Sequence, residues 1–418
     1  MRLITIVLLA CAAWPHIAAP YPIYDSESTG IRRLEHARLA QAGATDGRQR
    51  LPGELLSLEQ VDLRLLHRRD LRLPAPDPVF TAQIVSLLGA NADRYGIAVL
   101  DLSDIDRPRY AQHNSETLQN PGSVGKLIVA VALFQALADA YPDDLDSRRK
   151  VLRDTRVTAD DFIIRDSHNV RFWDPGTRQL SRRPIQIGDR ASLLEFVDWM
   201  LSPSSNAAAS TVIKQAMLLT RFGRAYPVDD ATAVEFFDKT ARGELGNLLV
   251  KTLHSPLQRN GFDLKRLRQG SFFTATGKRK VPGTTSYATS RELMTYLLRL
   301  EQGRIVDEFS SREIKRLLYV TERRIRYASS PALNEAAVYF KSGSLYKCQP
   351  EPGFVCLKYH GNKLNLMHSV AIVESPASSR RLYYFVTLVS NVLRKNSAVD
   401  HQTLATRIHR LIEAAHME

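Results

Sequence analysis

The run Leu127–Ala140, LIVAVALFQALADA, constrains the fold more than any other stretch, because it is apolar on almost every side. A surface helix carries a polar face, so a helix that is apolar all round is buried in the middle of a domain. Pro121 and Gly122 end whatever precedes the run, and Ser123 stands where the N-cap or first turn is expected. The sequence therefore predicts a core helix with Ser123 at its start.

Ser123 and Lys126 are three residues apart, so their side chains share one face of a helical turn. A lysine amine held against buried apolar surface has a lowered pKa and can act as a base. It can then activate a serine hydroxyl as a nucleophile, and the N–H groups of the helix start can stabilise an oxyanion. The spacing recurs at Ser147–Lys150 and Ser344–Lys347, so further motifs must support the assignment.

The length and net charge of the chain limit the classes of function that are expected. The chain has 418 residues and 44% hydrophobic content, enough for one large core or two smaller ones. Lys+Arg 57 against Asp+Glu 44 gives a net charge of +13, which favours anionic surroundings such as a polymer, membrane headgroups or nucleic acid. The excess is scattered, and no motif interleaves aromatic and basic residues. We therefore expect no nucleic-acid binding.

The N-terminus has the pattern of an export signal, expected over residues 1–20. Arg2 precedes the apolar segment LITIVLLA and the small residues ACAA. Two fates stay open: Leu8–Cys11 resembles a bacterial lipobox, which would attach a lipid to Cys11 and tether the protein to a membrane, whereas ordinary cleavage would release it. No later segment is expected to have the length that spans a bilayer. The expected location is periplasmic or membrane-anchored.

Cysteine usage agrees with export. Beyond Cys11 there are only Cys348 and Cys356, and the prolines and glycine between them predict a hairpin loop that brings the two sulfurs together. In an oxidising compartment this pair is expected to form a disulfide. A metal site needs more ligands at metal-like spacing, so no metal is expected.

The remaining patterns divide the chain in two. Residues 21–77 are charged and broken by Pro and Gly, with amphipathic pieces near Ile31–Ala42 and Leu58–Leu71, and predict a partly helical extension packed on a main domain. The main domain, residues 78–418, begins with a helical pattern over Val79–Tyr95.

Strand patterns occur near both ends of the main domain. Gly96–Leu102 predicts a strand, and RYAQHN can return as its partner. Two further strands are expected at Leu366–Val373 and Leu382–Val389, followed by a closing helix over Val399–Ala415. These patterns predict one sheet assembled from both ends of the chain.

A second motif follows an amphipathic helix. The segment ASLLEFVDWML predicts that helix, with Asp189 as its cap, and it ends at Ser202–Pro203. Ser204 and Asn206 then lie in a turn before the small-residue run AAAS, where side chains can point into a cleft. The same letters occur at Ser167–Asn169, in a charged loop with no apolar helix before it, so Ser204 and Asn206 are preferred.

The third motif is Lys341–Ser344, KSGS, which follows the strand-like EAAVYF. On an edge strand, its cation and hydroxyls would face a cleft. Gly343 would let a ligand backbone approach the strand closely.

These three motifs, in this order, resemble the penicillin-recognising serine hydrolases, meaning class A β-lactamases and their penicillin-binding relatives. The flanking segments YGIAVLDL and YATSRELMTYLLRL match as well, and the resemblance covers about Val79 to Ala415. It implies an α+β fold of the β-lactamase/transpeptidase type. That fold has an antiparallel sheet built from both chain ends, helices on both faces and an all-helical subdomain.

The resemblance also implies a role for each motif residue, with no metal or organic cofactor. Ser123 would be the acylated nucleophile, Lys126 its partner in proton transfer, and Ser204 the proton shuttle toward the leaving nitrogen. Asn206 would donate to the substrate's amide side chain, and Lys341 would hold Ser204 and the substrate carboxylate electrostatically. The other expected substrate contacts are Ser342, which would bond the carboxylate, Gly343, and the backbone N–H of Ser344, which with that of Ser123 would form the oxyanion hole.

Two departures from the family pattern stand out. Ser205 occupies the place of an aspartate in class A β-lactamases. Those enzymes also use a glutamate, between the second motif and the YATSREL-like segment, to activate water for deacylation. The stretch QRNGFDLKRLRQGSFFTATGKRKVPGTTSYATS contains no glutamate. Glu244, with Asn247 three residues on, is the nearest candidate, and Asp263 is a weaker one.

The sequence thus predicts an exported serine hydrolase that forms a covalent acyl-enzyme with a β-lactam or a D-alanyl-D-alanine-like cell-wall peptide. A class A β-lactamase-like activity with slow deacylation is the first interpretation. A D,D-carboxypeptidase or transpeptidase, and a sensor domain that acylates once without turnover, remain as alternatives. Turnover distinguishes them, since a sensor keeps a stable adduct and an enzyme releases product. The sequence leaves the oligomeric state open.

Overall fold

A computed structural model describes residues 29–322 and 324–417. The expected export signal, and with it Cys11, lies outside the described residues. The strands are, in chain order, β1 (Tyr95–Asp101), β2 (Arg109–His113), β3 (Arg156–Thr158), β4 (Asn169–Asp174), β5 (Gln179–Pro184), β6 (Arg190–Ser192), β7 (Leu267–Arg268), β8 (Tyr287–Ala288), β9 (Ala337–Lys347), β10 (Leu364–Ser375) and β11 (Leu382–Asn391).

The main sheet is antiparallel and joins the two ends of the chain in the order β2-β1-β11-β10-β9. Successive side chains of a strand point to opposite faces. In β1, accordingly, Ile97 and Val99 enter one apolar cluster, and Ala98 and Leu100 enter the other. Both faces of the sheet are therefore covered, and β9 lies at one edge.

Helices pack on both faces of the sheet. The α-helices of the described residues are Arg33–Gln41, Pro78–Leu88, Lys126–Ala140, Leu145–Asp154, Leu193–Leu201, Asn206–Phe222, Asp230–Lys239, Arg242–Arg259, Ala275–Lys280, Ser290–Glu301, Glu308–Tyr319 and Ser397–Ala415. The second and last of these cover one face, and Ser290–Glu301 and Glu308–Tyr319 cover the other. The helices Leu193–Leu201, Asn206–Phe222 and Arg242–Arg259 pack around Lys126–Ala140, here called the core helix, as a helical subdomain. The predicted α+β architecture is confirmed.

Together with the 3-10 turn before it, the core helix forms a 19-residue helical segment, Gly122–Ala140, which is long and apolar enough to cross a membrane, with a mean hydropathy of 1.6 over an apolar window. The expectation that no later segment has such a length was therefore wrong. However, 89% of this window is buried inside the protein, which identifies it as the centre of the subdomain.

Two local predictions differ from the structure. The helical pattern over Val79–Tyr95 breaks at Gly89, whose φ of +66° ends the helix at Leu88. The helix that begins at Leu193 is capped by Ser192, whose Oγ accepts from Glu195 N at 3.1 Å, and not by Asp189. Asp189 instead accepts two hydrogen bonds from the guanidinium of a hairpin arginine in β5.

The N-terminal extension contains one of the two expected helices, Arg33–Gln41. The second amphipathic piece forms turns and one 3-10 helix, Leu66–Arg68, and it buries Val61, Leu63 and Leu65. Charged contacts hold the extension on the main domain. Arg33 Nη2 lies 2.5 Å from Asp198 Oδ1, and both side chains are almost fully buried.

Candidate active site

A cleft of about 430 Å³ runs between the edge strand β9 and the helical subdomain. It brings together residues from all three sequence motifs, which lie far apart in the chain. The motif residues that line it are Ser123, Ser204, Asn206, Lys341, Ser342, Gly343 and Ser344. The discounted segment Ser167–Asn169 lines the same cleft.

Ser123 lies in a single 3-10 turn, Gly122–Gly125, which leads directly into the core helix. Lys126 is the first residue of that helix, and its side chain is fully buried. Its Nζ lies 3.1 Å from Ser123 Oγ, 2.6 Å from the carbonyl oxygen of Ser204 and 2.8 Å from Asn206 Oδ1. The predicted serine–lysine pair is thus in direct hydrogen-bond contact.

The electrostatics of Lys126 suit a proton acceptor. Burial lowers the pKa of its amine to about 7, against a smaller opposing effect of the Asp166 carboxylate. In the neutral amine, two N–H bonds can donate to the Ser204 carbonyl and to Asn206. The nitrogen lone pair is then left for the hydroxyl proton of Ser123.

The second motif continues the chain of polar contacts. Ser204 has a φ of +66°, an uncommon backbone conformation for a residue with a side chain. Its Oγ accepts a hydrogen bond from Lys341 Nζ at 2.8 Å and lies 3.3 Å from Lys126 Nζ. The side chains of Ser123, Lys126, Ser204 and Lys341 therefore form one continuous path along which a proton can move.

Asp166, which sequence reasoning missed, supports this second motif. One of its oxygens accepts from Ser205 Oγ at 2.8 Å and from the backbone N–H groups of Asn206 and Ala207 at 2.8 and 2.9 Å. Its other oxygen is 2.5 Å from Nδ1 of His168. A distant carboxylate thus scaffolds the turn in which Ser205 replaces the family's aspartate. The letters of the discounted Ser-x-Asn, which directly follow Asp166, were the available signal.

The ionisation state of Asp166 fits this role. Burial alone raises the pKa of this carboxyl group. The hydrogen bond and charge of His168, together with the donors at Ala207 and Ser205, outweigh burial and hold the pKa well below its usual range. Asp166 is therefore an ionised acceptor for the first turn of the helix Asn206–Phe222.

We expect Asp166→Ala to lower the free energy of unfolding by about 1–3 kcal/mol, because it leaves buried N–H groups without an acceptor. Denaturant unfolding measures this loss. Asp146→Ala is the matched control, since the Asp146 side chain is 93% exposed, and it should change the free energy by less than about 0.5 kcal/mol. Equal stabilities of the two variants would show that Asp166 does not support the turn.

The third motif lies on β9 where this strand passes the start of the core helix. A Cβ atom at Gly343 would lie 2.6 Å from the carbonyl oxygen of Pro121 and 2.8 Å from Ser123 N, so glycine is required for this approach. Lys341 is 3% exposed. Burial, followed by the charges of Lys126 and Arg326, lowers the pKa of Lys341 well below its usual value.

Arg326 is a second residue that the sequence did not reveal. Its Nη1 donates to Ser342 Oγ at 2.8 Å and its Nη2 to Ser344 Oγ at 3.1 Å, so a guanidinium accompanies the hydroxyls of the third motif. An arginine keeps its charge when buried, whereas the lysine of the motif has a lowered pKa. Arg326 therefore keeps its positive charge at this end of the cleft, whereas Lys341 loses its proton more readily. No sequence motif marks Arg326. Its backbone φ of +56° depends on the surrounding tertiary structure and not on a local pattern.

The structure does not bring Glu244 to the cleft. Glu244 is exposed on the first turn of the helix Arg242–Arg259, and it lines neither cavity that contains Ser123. It serves that helix as an acidic first-turn residue, which favours the helix dipole. Asp263, the weaker candidate, instead accepts from the backbone N–H of Lys265 and lies 3.8 Å from Arg266.

A smaller recess of about 220 Å³ lies on the other side of Ser123, against the loop that lacks glutamate. Gln269 and Phe273 line it, and the Phe273 ring centroid lies 4.9 Å from Lys126 Nζ. Among the described residues that line this recess or the cleft, none is an aspartate or a glutamate. The described part of the chain also has no group of three His, Cys, Asp or Glu side chains placed to hold a metal.

Elsewhere, the predicted cysteine pair is joined. Cys348 and Cys356 form a disulfide, with Cα atoms 5.7 Å apart, in the loop that follows β9. This loop supplies Lys358 and Tyr359 to one end of the cleft.

Comparisons with known proteins agree with this geometry. Residues 79–411 match the sequence model of the beta-lactamase enzyme family. No curated protein sequence gives a significant match. A mutant of PBP-A, solved as an acyl-enzyme complex with penicillin G, has a TM-score of 0.51 and 14% identity, over 82% of this chain and 100% of that chain.

Two class A or extended-spectrum β-lactamases are similar to the same extent. A class A β-lactamase of the last common ancestor of Gram-negative bacteria has a TM-score of 0.50 and 17% identity, over 81% of this chain and 100% of that chain. The extended-spectrum β-lactamase TLA-3 has a TM-score of 0.50 and 14% identity, over 80% and 98% of the two chains. These similarities establish the fold.

Proposed function

The chain belongs to the beta-lactamase enzyme family and is a serine hydrolase that acts on amide bonds, and we propose that it works through a covalent acyl-enzyme on Ser123. The observation that carries the proposal is the hydrogen-bonded path from Ser123 through Lys126 and Ser204 to Lys341. Ser204 Oγ also contacts both buried lysine amines, so Ser123 is distinguished by its place in the turn that leads into the core helix.

The proposed acylation uses that path in one direction. Neutral Lys126 takes the hydroxyl proton of Ser123, and Oγ attacks the amide carbonyl carbon. Backbone N–H groups of Ser123 and Ser344 are proposed to hold the oxyanion. Ser204 then delivers a proton to the leaving nitrogen and is recharged from Lys126. Lys341, hydrogen-bonded to Ser204, stabilises the anionic character that develops there.

The proposed substrate is an amide that carries a carboxylate on its leaving side, such as a β-lactam or a D-alanyl-D-alanine-like peptide. Ser342, Ser344 and Arg326 form a cationic, hydroxyl-rich end of the cleft that complements such a carboxylate. An incoming carboxylate would also favour the charged form of Lys341. The penicillin G complex of PBP-A supports a β-lactam as the probe of this site.

We expect Arg326→Ala to reduce selectivity for the carboxylate. The wild-type protein should be acylated faster by a penicillin than by its methyl ester, because a hydrogen bond to a charged group contributes about 1.5–3 kcal/mol, or about 10- to 100-fold. In Arg326→Ala the ratio of the two acylation rates should fall by about tenfold or more. Mass spectrometry of the adduct gives both rates.

The matched control for this test is Arg182→Ala, which removes an exposed arginine from β5 and should leave the ratio unchanged. Equal reactivity of the acid and the ester with the wild-type protein would contradict the proposed carboxylate site. An unchanged ratio in Arg326→Ala would assign the selectivity to another cation.

The acylation rate should also depend on pH through Lys126. The base is the neutral amine, and its pKa is lowered to about 7, so acylation is lost as pH falls through about 7. Below that value the rate should drop about tenfold per pH unit, and above it the rate should level off. Adduct formation from roughly pH 5 to pH 9, with circular dichroism as a control for folding, measures the profile. A flat profile would exclude Lys126 as the titrating base.

We further propose that the protein is exported. The support is the N-terminal apolar pattern with its lipobox-like Cys11, together with a disulfide that an oxidising compartment would maintain. A lipid on Cys11, residues 21–77 as a distinct extension, and a peptidoglycan peptide as natural substrate are parts of the same proposal. Fractionation of producing cells, with mass analysis of the mature N-terminus, tests it.

A D,D-peptidase is the second candidate, because neither cavity at Ser123 is lined by a described carboxylate that could activate water. Such an enzyme can pass its acyl group to an amine acceptor. Release of D-alanine from a D-alanyl-D-alanine peptide, without efficient hydrolysis of a cephalosporin, would favour this candidate.

A further inference from the structure

The outer end of the cleft is a wall made by the disulfide loop. β9 continues beyond the third motif to Tyr346, and the loop returns to place Lys358 and Tyr359 beside it. The rings of Tyr346 and Tyr359 are 5.8 Å apart. The backbone of Tyr359 has a φ of +63°, and its carbonyl oxygen accepts from both the N–H and the hydroxyl of Ser397, at 3.0 and 3.1 Å. This wall is therefore fixed in place.

Two cations share the Tyr359 side chain at this wall. Arg326 Cζ lies 4.7 Å from the ring centroid of Tyr359, and Lys358 Nζ lies 5.1 Å from the same centroid. Burial raises the pKa of the phenol, but Arg326 and then Lys358 outweigh it, so the pKa of Tyr359 is below its usual value. Two cations therefore act on one side chain at this wall.

Lys358 meets no negative charge among the described residues of the cleft. None of the described residues that line it is acidic, and Lys358 forms no ion pair within residues 29–322 and 324–417. Arg326 donates hydrogen bonds to the hydroxyls of Ser342 and Ser344. The first carboxylate of the substrate is proposed to bind at these hydroxyls. Lys358 lines the same cleft and approaches the same Tyr359 ring as Arg326, so a second anionic group next to the first carboxylate can contact it.

We propose that Lys358 and Tyr359 form a second anion subsite next to Arg326, which selects an amide whose leaving residue carries a side-chain carboxylate in addition to its terminal one. This inference rests on the proposed function. A D-alanyl-D-glutamate peptide is the simplest substrate of the class. Its amide C–N bond breaks while the ester bond to Ser123 Oγ forms, the serine proton reaches the leaving nitrogen through Lys126 and Ser204, and D-glutamate departs.

The test is competition with penicillin for Ser123, which needs no turnover of the peptide. Two N-acylated peptides ending in D-alanyl-D-glutamate and D-alanyl-D-glutamine have nearly the same shape and differ by one charge. The first should protect the wild-type Ser123 from penicillin at about fivefold lower concentration, the size expected for one solvent-exposed ion pair. Intact-mass measurement of the penicilloyl adduct gives the protection.

Two variants locate the effect. In Lys358→Gln the two peptides should protect within about twofold of each other, since the added charge then has no partner. Lys363→Gln is the matched control, because Lys363 is exposed on the same loop but does not line the cleft, and it should keep the difference.

Each other outcome overturns the subsite. Equal protection of the wild-type Ser123 by the two peptides would contradict the subsite. A difference in protection that persists in Lys358→Gln would contradict it as well. If neither peptide protects while penicillin still acylates, the subsite is wrong and the proposed function stands. If penicillin forms no adduct with the wild-type protein, the proposed function fails and the subsite fails with it.

Discussion

The Ser123→Ala variant will form no covalent adduct with penicillin-type probes and will keep its fold. Ser123 Oγ is the hydroxyl that lies 3.1 Å from the buried Lys126 amine, and it lines both cavities at the start of the core helix. Removing a nucleophile removes the covalent step itself, so the loss should be complete within detection. The mass of the protein before and after incubation with a penicillin measures the adduct.

The chain supplies a matched control for this variant. Ser147 also precedes a lysine, Lys150, by three residues, but its hydroxyl donates to Asp144 at the start of another helix. Ser147→Ala should be acylated like the wild type. An adduct of unchanged mass in Ser123→Ala would refute the assignment of the nucleophile.

The second large effect is slow hydrolysis of the acyl-enzyme. Deacylation needs a base over water, and removing one positioned general base costs about 10²–10⁴ in rate. The recess beside Ser123 presents the Gln269 amide and the Phe273 ring instead of a carboxylate. We therefore expect a chromogenic cephalosporin to give a burst equal to the enzyme concentration, followed by turnover lower by about 10²–10⁴ than that of an efficient β-lactamase.

A gain of function offers the sharper version of this test. Gln269 is 4% exposed, and a Cβ atom at Gly125 would lie 2.2 Å from its Oε1, so the amide closely approaches the turn that carries Ser123. Gln269→Glu places a carboxylate there with almost no change in shape, and it should raise the slow phase without raising the burst. Glu244→Gln should leave both phases unchanged, because Glu244 is exposed outside the cleft. Rapid hydrolysis by the wild type without a burst would show that a base exists.

The parts of this site that the sequence predicts are those encoded locally. The apolar run Leu127–Ala140 predicts a buried helix, and the start of that helix holds Ser123 and Lys126 close together. The Lys341–Ser344 motif lies on a strand, as the strand-like segment EAAVYF before it indicates, and the strand is at the sheet edge. The order of the three motifs matches that of a known family, and this order predicts that they form one site.

The parts that the sequence did not predict depend on contacts between distant residues. Asp166 reaches the turn at Ser205 across about forty positions of chain, so no local pattern marks it. Arg326 reaches the third motif from an irregular segment. The position of Glu244 along the chain made it a candidate for the deacylation base, but its place on the helix exposes the side chain to solvent. In each case tertiary packing decides which charged side chain is near Ser123.

The most direct test of the central claim is an intact-mass time course of the wild-type protein after addition of benzylpenicillin, with peptide mapping of the product. We expect a mass increase equal to one penicillin molecule, located on Ser123, that forms rapidly and persists while free penicilloate accumulates slowly. A mass that stays unchanged while the penicillin remains intact, or an adduct on any residue other than Ser123, would contradict it.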